Sequence, residues 1–266
     1  MDEIRIAPFL PEHDEACRAI EQGAPQGESF RLRFRREKFS RRAESYDEHR
    51  ICVAFAGNRV VGAAAAAQKS VVLRGRPTRA AFFFDVRVAA DARGRGVGKL
   101  LADHVVGRAW ADGAEFGYSF VAGDNRVSRR LVSRHSEVVA EYHYLVWPVY
   151  RPRPSQCTAR DATVSEVHDA FRNCAGPLDF TCDPRVGGQL SGHVASFLSD
   201  DAGCSIWSNA QILAEEVVSI PRGFRVARAL LSAWPLRLAS WPHIPAPGDT
   251  CAADGYFHSN EAANAN

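Results

Sequence analysis

The first half of the chain switches between two hydrophobic periods. Ile4–Ala7 alternates apolar and polar residues and predicts a short strand. Pro11 to Gln22 follows as a helix, with Ala16, Ile20 and their neighbours on one face. Glu28–Ala43 predicts a second helical stretch. Its Leu32, Phe34 and Phe39 dock it on a sheet, and Arg31, Arg33, Arg35, Arg36, Lys38, Arg41 and Arg42 form a solvated face or attract an acidic acceptor. Ile51–Ala56 and Arg59–Leu73 predict strands joined by Gly57-Asn58, a turn pair that accepts positive φ. Within the second, Ala63–Ala67 has helical propensity, but Val60, Val61, Val71 and Val72 around it favour a strand. Such small side chains either pack closely against a neighbouring layer or leave open space over the sheet. Arg74-Gly75 turns the chain into Thr78–Ala89. The hairpins require antiparallel pairing, and the strand–helix–strand connections that follow call for parallel pairing. The fold class is α/β, with a mixed, mostly antiparallel central sheet flanked by helices.

Candidate chemistry concentrates in residues 82–98, FFFDVRVAADARGRGVG. An apolar strand runs into Arg93-Gly94-Arg95-Gly96-Val97-Gly98, and a helix (98–111), a strand (115–121) and a short helix opened by Asp124 or Asn125 follow. A strand, a glycine turn and a helix start place free backbone N–H groups and the positive end of a helix dipole at one point. Glycine lets the main chain approach a bulky anion there, and Arg93, Arg95 and Lys99 add positive charge. A pyrophosphate suits such a site. A Walker loop is excluded because Leu100, not Ser or Thr, follows Lys99. The glycines read G-x-G-x-G rather than the dinucleotide G-x-G-x-x-G, although Glu115 stands near the acidic position of that fingerprint. The spacing that fits is Arg-x-x-Gly-x-Gly, at Arg93, Gly96 and Gly98.

The run DVRVAADARGRGVGKLL resembles the acetyl-CoA-binding motif of the GNAT superfamily of N-acetyltransferases. Asn125-Arg126-Val127-Ser128-Arg129-Arg130-Leu131 is similar to the next motif, N-x-x-S-x-x-L, in the right order and at the right distance. The resemblance covers about residues 3–150. It implies the acyl-CoA N-acyltransferase fold, acetyl-CoA as co-substrate and direct transfer of acetyl to an amine in a ternary complex. By the same resemblance, backbone amides of Val86, Arg87 and Val88 hold the pantetheine arm and thioester oxygen. Gly94, Val97 and the rest of the 93–99 turn hold the diphosphate, and Asn125 holds the arm with Ser128 close by. Arg93 and Arg130 are candidates for the adenosine 3′-phosphate.

In several GNAT members a carboxylate on the strand takes the amine's proton, and Asp85 is the residue on hand. The alternative is an ion pair with Arg87 or another arginine, a purely structural role. Alternation places Phe82, Phe84, Val86 and Val88 on one face and Phe83, Asp85 and Arg87 on the other. Glu44, Asp47 and Glu48 read as a solvated, charged loop. Many GNAT enzymes have a tyrosine after the second motif whose hydroxyl serves the departing thiolate. Here that position is Val132, and Tyr118, Tyr142 and Tyr144 read as core or strand residues. This departure keeps a second function class in view, a non-catalytic acyl-CoA-binding regulatory protein on the same fold.

The remaining features set bounds. A net charge of +2 supplies no field that would drive the chain onto nucleic acid or a membrane. The longest apolar run, Val60–Ala67, is too short to span a bilayer, and the acidic start MDEIRI lacks a signal region. Seven scattered cysteines without a CxxC pair indicate neither a disulfide framework nor a zinc site, and no histidine spacing suggests a metal. A reduced cytoplasmic protein is expected. Its partner would be a small-molecule amine or a protein amine, and a homodimer is compatible with the sequence. The expected domains are 1–150 and 155–258, separated by the proline-rich stretch 147–154, with a disordered tail at 259–266. In the second half, Thr158–Ala162 predicts a strand, Thr163–Asn173 and Pro184–Leu198 helices, and Gly203–Ala210 and Ile212–Ile220 a hairpin. Pro221–Trp234 predicts a helix and Thr250–His258 a final strand. That order resembles the front of a second GNAT half-domain, or it is an unrelated α/β extension.

Overall fold

The computed structural model describes residues 3–27, 31–73, 76–121, 125–135, 159–163, 165–167, 193–199, 202–208, 214–220, 222–223, 225–226, 250–251 and 253–259. In chain order the first half contains β1 (Ile4–Pro8), α1 (Asp14–Gln22), β2 (Arg31–Arg35), β3 (Glu48–Ala56), β4 (Arg59–Leu73) and β5 (Arg76–Val88). It continues with α2 (Val97–Ala111), β6 (Phe116–Tyr118) and α3 (Arg126–Val132). The central sheet has the order β1-β3-β4-β5-β6. Its first three ladders are antiparallel, and β6 joins β5 in parallel. The parallel step needs a crossover, which α2 supplies. The tight β3–β4 turn has Gly57 at φ 58°, a conformation open to glycine at little cost.

Two layers cover the sheet. On one face α2 lays Val97, Leu101 and Val105 against Ala64 and Ala66, with Phe83, Val86 and Val88 beside them. On the other face, Cys17 of α1 and Phe39 of a 3-10 turn (Phe39–Ser45) meet Val53 and Ala63. Ala43 and Tyr46 meet Ala65, Ala67, Phe82 and Phe84. The Ala63–Ala67 run is thus a strand, buried on both faces, and its small side chains serve close packing rather than open space. Cys17 and Cys52 lie in this core with free thiols that burial pushes up to about 12.

Gly62 shows how tight the α2 side is. A Cβ there would stand 2.8 Å from the Arg87 carbonyl oxygen, 2.9 Å from Leu101 Cδ1 and 3.2 Å from Val97 Cγ1. The backbone oxygen cannot swing aside as a side chain would. Gly62→Ala is therefore expected to cost about 1–3 kcal/mol, read as a lowered thermal midpoint; an unchanged midpoint would show that α2 can back away freely.

The helix expected over Glu28–Ala43 is corrected: the described residues form β2 and then the 3-10 turn. The local pattern Arg-Leu-Arg-Phe-Arg alternates with period 2, which suits a strand and not a helical face. β2 stands outside the five-stranded sheet and pairs antiparallel with β10 of the second half.

That half contains β7 (Arg160–Asp161), β8 (His193–Leu198), β9 (Ala202–Ser208), β10 (Ala214–Ser219), β11 (Thr250–Cys251) and β12 (Ala253–Ser259). Thr163 opens a helical turn by a capping box: its Oγ1 accepts from Glu166 N at 3.1 Å, and Glu166 Oε2 accepts from Thr163 N at 2.8 Å. Three further expectations are corrected. The end of the helix expected at Pro184–Leu198 is strand β8, which pairs antiparallel with β7 and β9, so tertiary pairing outweighs the local helical spacing. The two strands expected as a hairpin are separated, because β9 pairs β8 and β12 while β10 pairs β2 and β11. The single strand expected at Thr250–His258 divides into β11 and β12, which join different sheets. Ser259 belongs to β12. Arg74-Gly75, the 147–154 stretch, most of the helices expected at 163–173 and 221–234, and 260–266 lie outside the described residues.

Candidate functional site

The site is built where a ladder stops. β5 and β6 pair at Ala80–Phe116, Ala81–Gly117 and Phe82–Tyr118, and no further. β5 continues to Val88, so its edge from Phe83 onward has no described strand beside it. Val86, Arg87 and Val88 lie on this stretch. Phe82 marks the boundary, stacked on Tyr118 at 4.9 Å and on Phe84 at 4.8 Å, with the half-exposed Phe120 edge-on at 5.6 Å.

From Val88 a short 3-10 turn leads into Arg93, whose Nε donates to the Val88 carbonyl at 3.3 Å. Gly94 and Gly96 then adopt φ of 76° and 79°, which L residues avoid. A Cβ on either would meet nothing within 4 Å, so glycine serves the backbone conformation here and the space above it stays open. Gly98 differs: it is helical, and its Cβ would make an ordinary contact with Val88 at 3.6 Å. Gly96 is the N-cap of α2, and no side chain caps the helix, so the N–H groups of Val97, Gly98 and Lys99 at its start have no intrahelical acceptor. Arg93, Arg95 and Lys99 are exposed around them, with Lys99 Nζ 2.5 Å from Asp103. Strand edge, glycine turn and helix start are contiguous, as the sequence pattern requires.

Asn125 is the N-cap of α3, and its Oδ1 accepts from Ser128 N at 3.0 Å. Beyond the end of α3, His135 Nε2 lies 3.2 Å from Asp103 of α2. Val132 is the last residue of α3, Arg130 is exposed, and Tyr142 and Tyr144 lie outside the described residues. Glu44 bonds Ser40 and Glu48 bonds Arg79 on the surface, while Asp47 is exposed.

Asp85 has the most constrained environment. Its φ is +54°, and between Ala63↔Arg87 and Ala65↔Phe84 the register slips by one residue. Asp85 and Val86 together face the one residue Ala64, a β-bulge. The bulge breaks the simple alternation and corrects it: Val86 and Val88 join Phe83 on the α2 side, while Asp85 and Arg87 turn toward α1 and β2. There the Asp85 carboxylate, 2% exposed, accepts from Arg36 Nη1 at 2.7 Å and Arg42 Nη1 at 3.2 Å, with Arg87 Nη2 at 3.9 Å. Arg36 sends its Nε and Nη2 as a fork to Glu21 of α1, at 2.8 and 2.5 Å, and stacks on Phe39. Arg87 reaches Glu21 at 3.5 Å and lies over the Phe34 ring at 5.0 Å. Burial pushes the Asp85 carboxyl up, but Arg36, then Arg42 and Arg87, outweigh it and hold it at about 2. Near neutral pH such a carboxylate has little affinity for a proton taken from an ammonium. Phe34 and Arg36 were expected only as a docking residue and part of a basic face, and Glu21 was not singled out; the alternation of residues 31–35 is the signal that marks the first two as belonging to a strand and its end.

Among the described residues no group of side chains is arranged to hold a metal, and no helix is long and apolar enough to cross a membrane. The model described as "Acetyltransferase (GNAT) family" matches residues 15–135. Among solved structures, the chain is similar to the glucosamine-6-phosphate N-acetyltransferase of Arabidopsis thaliana, at 18% identity over 55% of this chain and 100% of that one, with a TM-score of 0.40. It is similar to a Trypanosoma brucei acetyltransferase at 14% identity over 55% and 100%, TM-score 0.41. An aminoglycoside acetyltransferase from an uncultured soil metagenomic sample matches at 12% identity over 56% and 97%, TM-score 0.39. No curated protein matches the chain.

Proposed function

We propose that this chain, whose residues 15–135 match the acetyltransferase (GNAT) family model, moves acetyl from acetyl-CoA directly to an amine in a ternary complex. The observation that carries the proposal is the open β5 edge running into an uncapped helix start through two left-handed glycines. The turn at Gly94–Lys99 would hold the diphosphate, with Arg93 and Arg95 adding charge. The amides of Val86, Arg87 and Val88 would pair with the pantetheine arm and polarise the thioester oxygen. Asn125 and Ser128 would flank the arm. The amine nitrogen attacks the carbonyl carbon, a C–N bond forms, the C–S bond breaks, and the amine's proton passes to solvent. With valine at position 132 the coenzyme leaves as a thiolate, which a pKa near 8.5 permits. The arginines around Asp85 favour the ion-pair role for that residue over the proton acceptor.

A second reading, a regulatory protein that binds acyl-CoA without turnover, is favoured by Val132 and by the same tied-up carboxylate. Calorimetry with acetyl-CoA tests what both share. Binding is expected, and Arg95→Glu is expected to weaken it by about tenfold through lost charge-assisted contacts. Absence of heat from the wild-type protein would overturn both readings. Thiol release from acetyl-CoA across a panel of amines separates them, since binding without release from any amine leaves the regulatory protein.

A further inference from the structure

We propose that Glu216, in the second half, is a positioning residue for the transfer edge: it fastens β10 to β2 and thereby holds Arg36 against the Asp85 bulge. The inference rests on reading residues 86–88 as the edge that meets the thioester.

β2 carries Arg31, Arg33 and Arg35 on one face, three like charges at two-residue spacing that repel one another. In the ladder with β10, Glu216 stands opposite Arg33. Its carboxylate accepts from Arg35 Nε at 2.5 Å and lies 3.9 Å from Arg33 Nη1. It is the negative charge that this arginine face meets among the described residues. The opposite face of the same short segment works on the site. Phe34 lies under Arg87, and Arg36, next in the alternation, bridges Glu21 and Asp85. Residues 34, 35 and 36 thus turn in succession to Arg87, Glu216 and Asp85. Among the described residues β2 has no ladder to the five-stranded sheet; within the first half its backbone pairs only at Leu32, with Gln26. A charge on the second half is in this way linked, through one strand, to the bulge that redirects Val86 and Val88.

The test uses the full chain and the variants Glu216→Lys, Glu216→Gln and Glu216→Asp. Hydrogen exchange is followed in peptides covering 31–36, 85–88 and 97–111. Glu216→Lys is expected to speed exchange in the first two by about tenfold and leave α2 unchanged. Acetyl-CoA affinity should stay within about threefold while thiol release with the best amine of the panel falls by about fivefold or more. Glu216→Asp should restore both readouts, a recovery that mere bulk at this position would not produce. Glu216→Gln, which adds no repulsion, gives the same ordering of peptides if the lysine variant does not fold. If 31–36 loosens while 85–88 and thiol release keep wild-type values, Glu216 fastens a surface strand only and the inference fails. It also fails if 31–36 does not loosen. Absence of acetyl-CoA binding by the wild-type protein would instead overturn the functional reading, and exchange at 85–88 would still decide the link to Glu216.

Discussion

Arg36→Met is expected to cost about 3–5 kcal/mol, because it leaves two buried carboxylates facing each other without the guanidinium that joins them. Arg36 is 1% exposed, Glu21 3% and Asp85 2%, so water cannot take its place. Arg36→Lys should fall between methionine and wild type, since a single ammonium cannot reproduce a fork to Glu21 together with a bond to Asp85. The pH dependence has a definite sign. Asp85 titrates at about 2 in the folded chain against an ordinary 3.8, so its stabilising effect is full above about pH 4 and fades as pH falls toward 2. That contribution is on the order of 2 kcal/mol. Without Arg36, only Arg42 and Arg87 oppose the upward push of burial, so the carboxyl of the variant lies higher than that of the wild type. The stability gap between wild type and variant should therefore narrow from pH 5 to pH 2. Denaturant midpoints across that range measure it; a gap that is small at pH 5, or that widens on acidification, would show that the network does not stabilise the fold. The lysine variant supplies the curve if the methionine variant is unfolded throughout.

Gly96→Val is expected to separate coenzyme binding from folding. The residue sits at φ +79° ahead of α2, and a β-branched side chain is strained there by about 1–2 kcal/mol. The free protein otherwise has room for it, since a Cβ meets nothing within 4 Å. The bound coenzyme would lose the close approach of the backbone. Acetyl-CoA affinity should fall about a hundredfold, near 2.7 kcal/mol, with a drop of a few degrees in thermal midpoint. Gly107→Ala, later in the same helix and also in open space, is the control: it should bind normally and melt slightly higher. Affinity of the valine variant within threefold of wild type would remove the turn from the binding site.

What could be read in advance followed from how local each signal was. The order of strands β3, β4 and β5, the helix after the glycines and the cap at Asn125 all depend on neighbours within a few residues, and their patterns stand out in the chain. The period-2 alternation of residues 31–35 marks β2 as a strand, but its partner is about 180 residues away and nothing near Leu32 or Phe34 points to β10. The same distance effect separated β9 from β10 and divided 250–259 between two sheets. The Asp85 bulge is hidden for another reason. Aspartate tolerates a left-handed backbone better than most residues, yet nothing in alternating FFFDVRV marks where the register will slip. The glycine turn was thus legible as a left-handed turn leading into a helix start, while the ionic knot behind the strand needed the positions of Glu21, Arg36 and Asp85 together.

The two thiols of the core have a practical use. At neutral pH Cys17 and Cys52 are protonated and shielded, so neither reacts with an alkylating reagent while the layers stay closed. Labelling at either one, located by peptide mass, becomes a clock for how often α1 lifts from the sheet or the β3 interior is uncovered. The chain carries its own opening sensors, one on each side of the sheet, without an engineered probe.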